Sequence, residues 1–501
     1  MSILSLTLLT FLALPTWADP LRRLSEVQQH DRVEFQVGRK DYAQVVTDGV
    51  RGLAILHHDA GDRAGAYRVL LLDSQFQERG AFDLYEPGAQ VSGYEVVGDE
   101  LVVVLRDPRA SSFAVARVPL DGASEPTVLR LDSPLRKGSF DELVVVDGHA
   151  YIDAHKRSDD HLFHIPLDQG GPVSEIALPS ATGATVFLQR LAGSWAGDQV
   201  DVVTMETKKR RRTLTVHGVT DGQLRSSLLV EPRDGQGNLL TAQRSRLDDG
   251  SEVVVGTYAA TEKATGAQGL YVARYAEGRL EGASFHSFSD FTGFFEHLSE
   301  RRQQRLERKK DALEASGEDL RMSVQVLMHD LIEQPERLIA VGEVYYPVYH
   351  TTTTTTTSTV NGVTTTTTTT HTVFDGFRTS HAFVAALDRQ GELLWENSFP
   401  MDYVLSYKLR ERISIQPQGD QVVMRYAFGS RVSRRTVVGD EVVGQDQEQA
   451  IGASDHDEVK ANWDTMTEEW TDDSFLLWGF QRVKDEEEGR TTVFFVSRID
   501  G

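Results

Sequence analysis

Imidazole and carboxylate side chains gather at three places in this 501-residue chain: His57, His58 and Asp59; His155, Asp159, Asp160 and His161; and the run Asp485 to Glu488. Neutral imidazole and carboxylate are ligands that catalytic zinc takes, and the bound metal turns water into a nucleophile near neutral pH. His57 or His58 would form such a set with Asp485 if the two ends of the chain lay side by side. His350 and His371, which flank a threonine-rich segment, offer two more ligands, fewer than a metal site needs. The same residue types are ordinary in solvated loops, so both readings stay open. Nucleophile elbows, zinc-protease helices, phosphate loops and EF-hand series find no match. With no cysteine, thiolate chemistry and disulfides are excluded. No cofactor is indicated.

Those clusters need elements to hold them, and the elements repeat. An apolar strand ending on an acidic residue recurs along the chain, as in Phe113 to Asp121 and Phe383 to Asp388. Taking the acidic residue as a marker, positions 73, 121, 168, 221, 277, 388, 440 and 500 are separated by 48, 47, 53, 56, 111, 52 and 60 residues. Two strands joined by a tight turn precede each marker strand where the pattern is clearest, as in Gly93 to Leu105, and Thr127 to Leu131 supplies a fourth. Four antiparallel strands per roughly 50 residues make the blade of a propeller. The expected fold is therefore all-β, a β-propeller of eight four-stranded blades. Seven is the alternative because the Asp440 copy is weak, and two packed β-sandwiches are the competing architecture. The last unit stops just after its marker strand, so Arg32 to Val37 is expected to supply the outer strand and close the ring, removing an exposed sheet edge.

The one long interval holds two insertions. Residues 290–320 read as helical, with strong helix formers between Ser299 and Gly317 and a thin apolar face of Leu298, Leu306 and Leu313. Residues 346–376 read as a threonine-rich hairpin with Asn361-Gly362 at its tip. Pairing Val360 with Val363 sets His371 opposite Thr352 and His350 opposite Val373. Strand direction alternates within a blade, so both insertions should rise from one face, where Arg301, Arg305, Asn361 and Gly362 mark the expected interaction surface.

Leu387-Asp388-Arg389-Gln390-Gly391-Glu392-Leu393-Leu394-Trp395 resembles the strand-turn-strand motif of quinoprotein-type propellers. The resemblance covers one blade and implies the fold; no cofactor-contacting set is matched, so quinone-dependent dehydrogenase activity is not carried over. The rows of threonine resemble those of threonine-rich ice-binding β-proteins over this single hairpin. As a whole the chain resembles large exported bacterial β-propeller-like proteins.

A net charge of −23 argues against nucleic acid as a partner. The basic run Lys208 to Arg212 sits between two apolar runs and reads as a hairpin tip. Residues 1–18 read as a signal peptide cleaved before Asp19, although no Lys or Arg precedes the apolar core, which leaves a retained anchor as the alternative. No later stretch reaches the roughly 20 apolar residues that cross a bilayer. The expectation is an exported monomer, periplasmic or extracellular and bacterial. It would be a noncatalytic binding or scaffolding propeller for an unknown protein or glycan, with a metal-assisted hydrolase of glycans or lactones as the alternative.

Overall fold

The computed structural model describes residues 25–500 apart from 39, 48–50, 62–65, 136, 181–185, 194–198, 232–236, 248, 361–362, 454–457, 472 and 486–488. The expected leader, residues 1–18, lies outside the described residues, as do Asn361 and Gly362.

The described strands form eight antiparallel sheets that follow one another along the chain. We number these blades 1 to 8: residues 42–85, 90–132, 139–176, 186–230, 243–287, 325–406, 413–450 and 458–500. Gln29–Gln36 pairs antiparallel with Gly489–Asp500 as the outer strand of blade 8. Blade 7 divides its outer position between Glu441–Val442 and Gln447–Ala450, and its Asp440 copy, weak in sequence, follows a regular third strand, Arg431–Val438.

The core is not one mass but eight. Every apolar cluster lies between two neighbouring blades. Leu101, Val103 and Ala116 of blade 2 pack on Leu56, Val69 and Leu71 of blade 1, for example. The cluster of Leu476, Trp478 and Phe494 with Val45, Leu53 and Ile55 joins blade 8 to blade 1. The ring is thereby closed by burial, the dominant favourable term in folding.

The markers Asp73, Asp121 and Asp388 close the turn after their blade's third strand. Asp73 Oδ1 accepts from the backbone N–H groups of Gln75 and Gln77 at 2.8 and 2.9 Å, and Asp388 Oδ1 accepts from Gln390 and Glu392 at the same distances. A short carboxylate can bond its own backbone two residues on, which is why aspartate recurs there. Lys209 and Arg210 form the expected hairpin tip between Val200–Lys208 and Arg211–Thr220, with φ of 52° and 79°.

A second repeat joins the inner strands. Glu142 of blade 3 accepts from Leu191 N–H of blade 4 at 2.9 Å, and Glu95 of blade 2 likewise accepts from Val145 N–H of blade 3. Each bond satisfies a part-buried donor that would otherwise cost free energy.

Candidate functional site

The helix α1, Glu300–Glu314, leaves the connection between blades 5 and 6. Ser299 occupies its N-cap position without making a side-chain cap bond, and Gly317, at φ 73°, follows its end. No residue of α1 is buried, as its thin apolar face predicts.

The threonine arm is the free end of blade 6. Arg337–Val360 and Val363–Asp388 pair from end to end with two register shifts, at Val344/Tyr345 and Val348/Tyr349, and with Val360 opposite Val363, Thr352 opposite His371 and His350 opposite Val373. That is the register expected from the Asn-Gly tip. Thr357 and Thr366 hydroxyls approach to 3.3 Å across the pair, and the described threonines of the arm are exposed.

Helix and arm meet at a groove of about 490 Å³, lined by Leu298, Arg302 and Leu306 from the α1 side and by Val344, Tyr345, Tyr346, Ser380 and His381 from the arm's root. The expected convergence of the two insertions on one face is thus a feature of the structure. A chain of ring contacts climbs from this groove up the arm: Tyr345 on Phe377 at 5.6 Å, Phe377 on Phe374 at 5.1 Å and Phe374 on Tyr349 at 5.5 Å. Tyr346, Tyr349 and Phe374 are exposed by 40%, 57% and 37%.

At the groove's floor, the His381 ring stacks on His297 with centroids 4.2 Å apart and meets the edge of Phe294. His381 Nδ1 faces Ser380 Oγ at 2.9 Å, and its Nε2 has no partner among the described residues. Burial, reinforced by His297, holds the His381 imidazole well below its usual pKa and so neutral. Arg301, Arg305, Arg308 and Lys309 flank a hollow on the solvent side of α1. Like charges at this spacing destabilise an isolated helix.

The second polar centre is the central channel, where a cavity of about 500 Å³ is lined from blades 1, 2, 6, 7 and 8. His329 Nε2 lies 3.0 Å from Glu343 Oε1, which also accepts from the Ile413 N–H at 2.9 Å. The other ring nitrogen lies 3.6 Å from Glu411. Burial opposes charge on His329, yet the Glu343 bond and the charges of Glu411 and Glu343 hold its pKa above the usual value. Asp330 reaches across to Arg190 of blade 4. Burial pushes Glu95 and Glu468 up to about 7, with Asp330 and Glu142 adding to the shift of Glu95.

The histidine and carboxylate candidates have separate surroundings. His57 Nε2 lies 3.6 Å from Asp41, His58 packs on the Tyr67 ring, and His350 Nδ1 bonds the Asp375 carboxylate. The backbone of Asp485 pairs with Gly489 in blade 8. His155 meets Asp141 at 2.9 Å, and His161 meets Glu175 at 2.8 Å. Among the described residues no group of three His, Asp or Glu side chains is arranged to hold a metal ion, and no helix is long and apolar enough to cross a membrane.

The channel residues escaped the sequence reading because they come from separate blades or stand far apart in sequence within one, as His329 and Glu343 do. A signal existed: Glu95 and Glu142 each stand 26 positions before their markers, Asp121 and Asp168.

No family model matches the chain, and no curated protein matches it in sequence. Among solved structures, it is similar to the WD40 domain of SCAP from fission yeast at 6% identity, covering 93% of this chain and 98% of that one, with a TM-score of 0.42. It is similar to the C-terminal WD40 domain of Sif2 at 8% identity, covering 95% and 99%, with a TM-score of 0.40. A prolyl endopeptidase matches at 10% identity with a TM-score of 0.39, covering 91% of this chain; the chain spans about half, 54%, of that protein.

Proposed function

We propose that this protein is a noncatalytic binding or scaffolding propeller whose partner, a protein or glycan, docks on the face carrying α1 and the threonine arm. The observation that supports this reading is the aromatic path from the groove along Tyr345, Phe377, Phe374 and Tyr349. Aromatic side chains bring large contact area at low entropic cost and are enriched where proteins bind. The arm adds a polar, regular surface, and in this reading the exposed cations Arg301 and Arg305 of α1 extend the docking face on the helix's solvent side.

The working form in this reading is an exported monomer, periplasmic or extracellular in a bacterium, that begins at Asp19 after removal of a leader. Mass determination of the secreted N-terminus and light scattering test those two features.

The decisive experiment joins Val348 to its pairing partner Gly376 through a two-residue Asn-Gly turn, removing the arm while keeping the buried root in register. The shortened protein should melt with the parent and lose the partners that the parent captures from the native exterior fraction. An unchanged set of captured partners would refute the assignment of this face.

A further inference from the structure

Arg412 enters the inner strand of blade 7 and is 5% exposed, yet no carboxylate pairs with its guanidinium among the described residues. Its Nη1 is directed at the thioether sulfur of Met466, 2.9 Å away, and its Nε has no partner. A thioether is a weak acceptor. Taking a guanidinium out of water costs several kcal/mol unless a counter-charge and hydrogen bonds repay it, and an apolar side chain of similar volume would avoid that cost. Burial and the neighbouring Arg410 lower the Arg412 pKa to about 10, against the weaker pull of Asp464 and Glu343.

Arg412 borders the channel cavity of about 500 Å³, within the size range of small-molecule sites. Both signs of charge border that cavity: Arg410 and Arg412 on one hand, Glu411 and Glu468 on the other. Glu343 Oε1 is taken by His329 and by the N–H groups of Arg412 and Ile413, its Oε2 has no hydrogen-bond partner among the described residues, and neither oxygen is bonded to the Arg412 guanidinium. Asp464 is bound to Arg410 at 2.9 Å.

We propose that the channel cavity binds a small zwitterion, an amino acid or short peptide, with its carboxylate on Arg412 and its ammonium toward Glu411 and Glu468. A carboxylate meets guanidinium in a two-bond fork, the geometry that makes arginine selective for it. The ammonium would give Glu468 a counter-charge in a site where burial disfavours its ionised form. This site is separate from the outer face: it lies among the inner strands and uses no residue of α1 or the arm.

Thermal denaturation of the full chain with millimolar glycylglycine tests the proposal, beside N-acetylglycylglycine, glycylglycine amide and inorganic phosphate. Glycylglycine should raise the midpoint, both blocked dipeptides should need at least tenfold higher concentration, and phosphate should have less effect than glycylglycine. Arg412→Met should abolish the shift while itself melting at or above the parent, and Glu468→Gln should weaken it. Removal of the arm should leave it unchanged, which separates this site from the docking face. No shift with any probe, an equal shift with either blocked dipeptide or with phosphate, or a shift retained in Arg412→Met would overturn the proposal. An Arg412→Met protein that melts well below the parent would also overturn it, because the guanidinium would then be a structural element.

Discussion

The two long strands of blade 6 pass through two environments. At their root, Leu338 to Val341 and Ala382 to Leu387 are wholly buried, and all of them except Ala386 belong to the clusters shared with blades 5 and 7. Beyond Thr351 the same ladder continues with exposed threonines on both strands. Backbone pairing resumes after each of the two register shifts between them, at Val344/Tyr345 and Val348/Tyr349, so both parts are paired and pairing does not distinguish them. Burial does: the root gains from removing apolar area from water, whereas the arm is held by its ladder, its β-branched propensity and cross-strand contacts worth a few tenths of a kcal/mol each. A surface can therefore be varied along the arm while the ring beneath it stays fixed.

The sharpest way to break this contrast is at the root. Phe383 is fully buried against Phe288 and Phe291, and its ring sits where a Cβ on Gly342 would come within 2.4 Å. Phe383→Ala should cost about 3–5 kcal/mol of unfolding free energy in a urea titration. A cost below about 1 kcal/mol, typical of surface changes, would mean that the root is not the structural part of the ladder.

A smaller effect is expected from the buried histidine on the strand that contains Phe383. His381 is buried and its pKa lies below the unfolded value, so the unfolded chain takes up a proton that the native chain refuses as pH falls below about 6.5. Its contribution to stability is therefore present above that pH and lost below it. The raised pKa values of Glu95 and Glu468 act in the opposite direction between about 4.5 and 7, where the native state binds the extra proton. Comparing variant with parent isolates the histidine: His381→Phe should lose less stability than the parent between pH 7.5 and pH 5. Parallel urea midpoints for the two proteins would contradict the buried, neutral assignment.

The smallest effect belongs to the arm itself. Thr355 faces Thr368 with hydroxyls 3.5 Å apart and exposed on both strands. Thr355→Ala should move the unfolding free energy by no more than about 0.5 kcal/mol. A larger loss would show that the arm reports on ring stability and is not the separable projection that the docking assignment requires.

Much of the fold was legible because its signals are local. An aspartate that bonds the backbone two residues on, as Asp73, Asp121 and Asp388 do, writes the end of those third strands into the sequence. Asn-Gly between threonine runs carried the register expectation, and Val360 is indeed paired with Val363. The sequence alone thus determined strand order, blade spacing, the eight-blade expectation and where the chain projects from it.

Tertiary structure decided what those elements enclose. Glu142 meets Leu191 N–H across 49 positions, and Arg412 is left beside Met466 across 54. No pattern within one blade announces either contact, because each depends on which blades the ring brings together. The groove likewise exists only because strand alternation sends α1 and the arm to one face and their side chains meet there. Turn chemistry acts over a few residues and is carried by the sequence directly. The burial of a charge, and hence its pKa and its need for a partner, follows from closure of the whole ring.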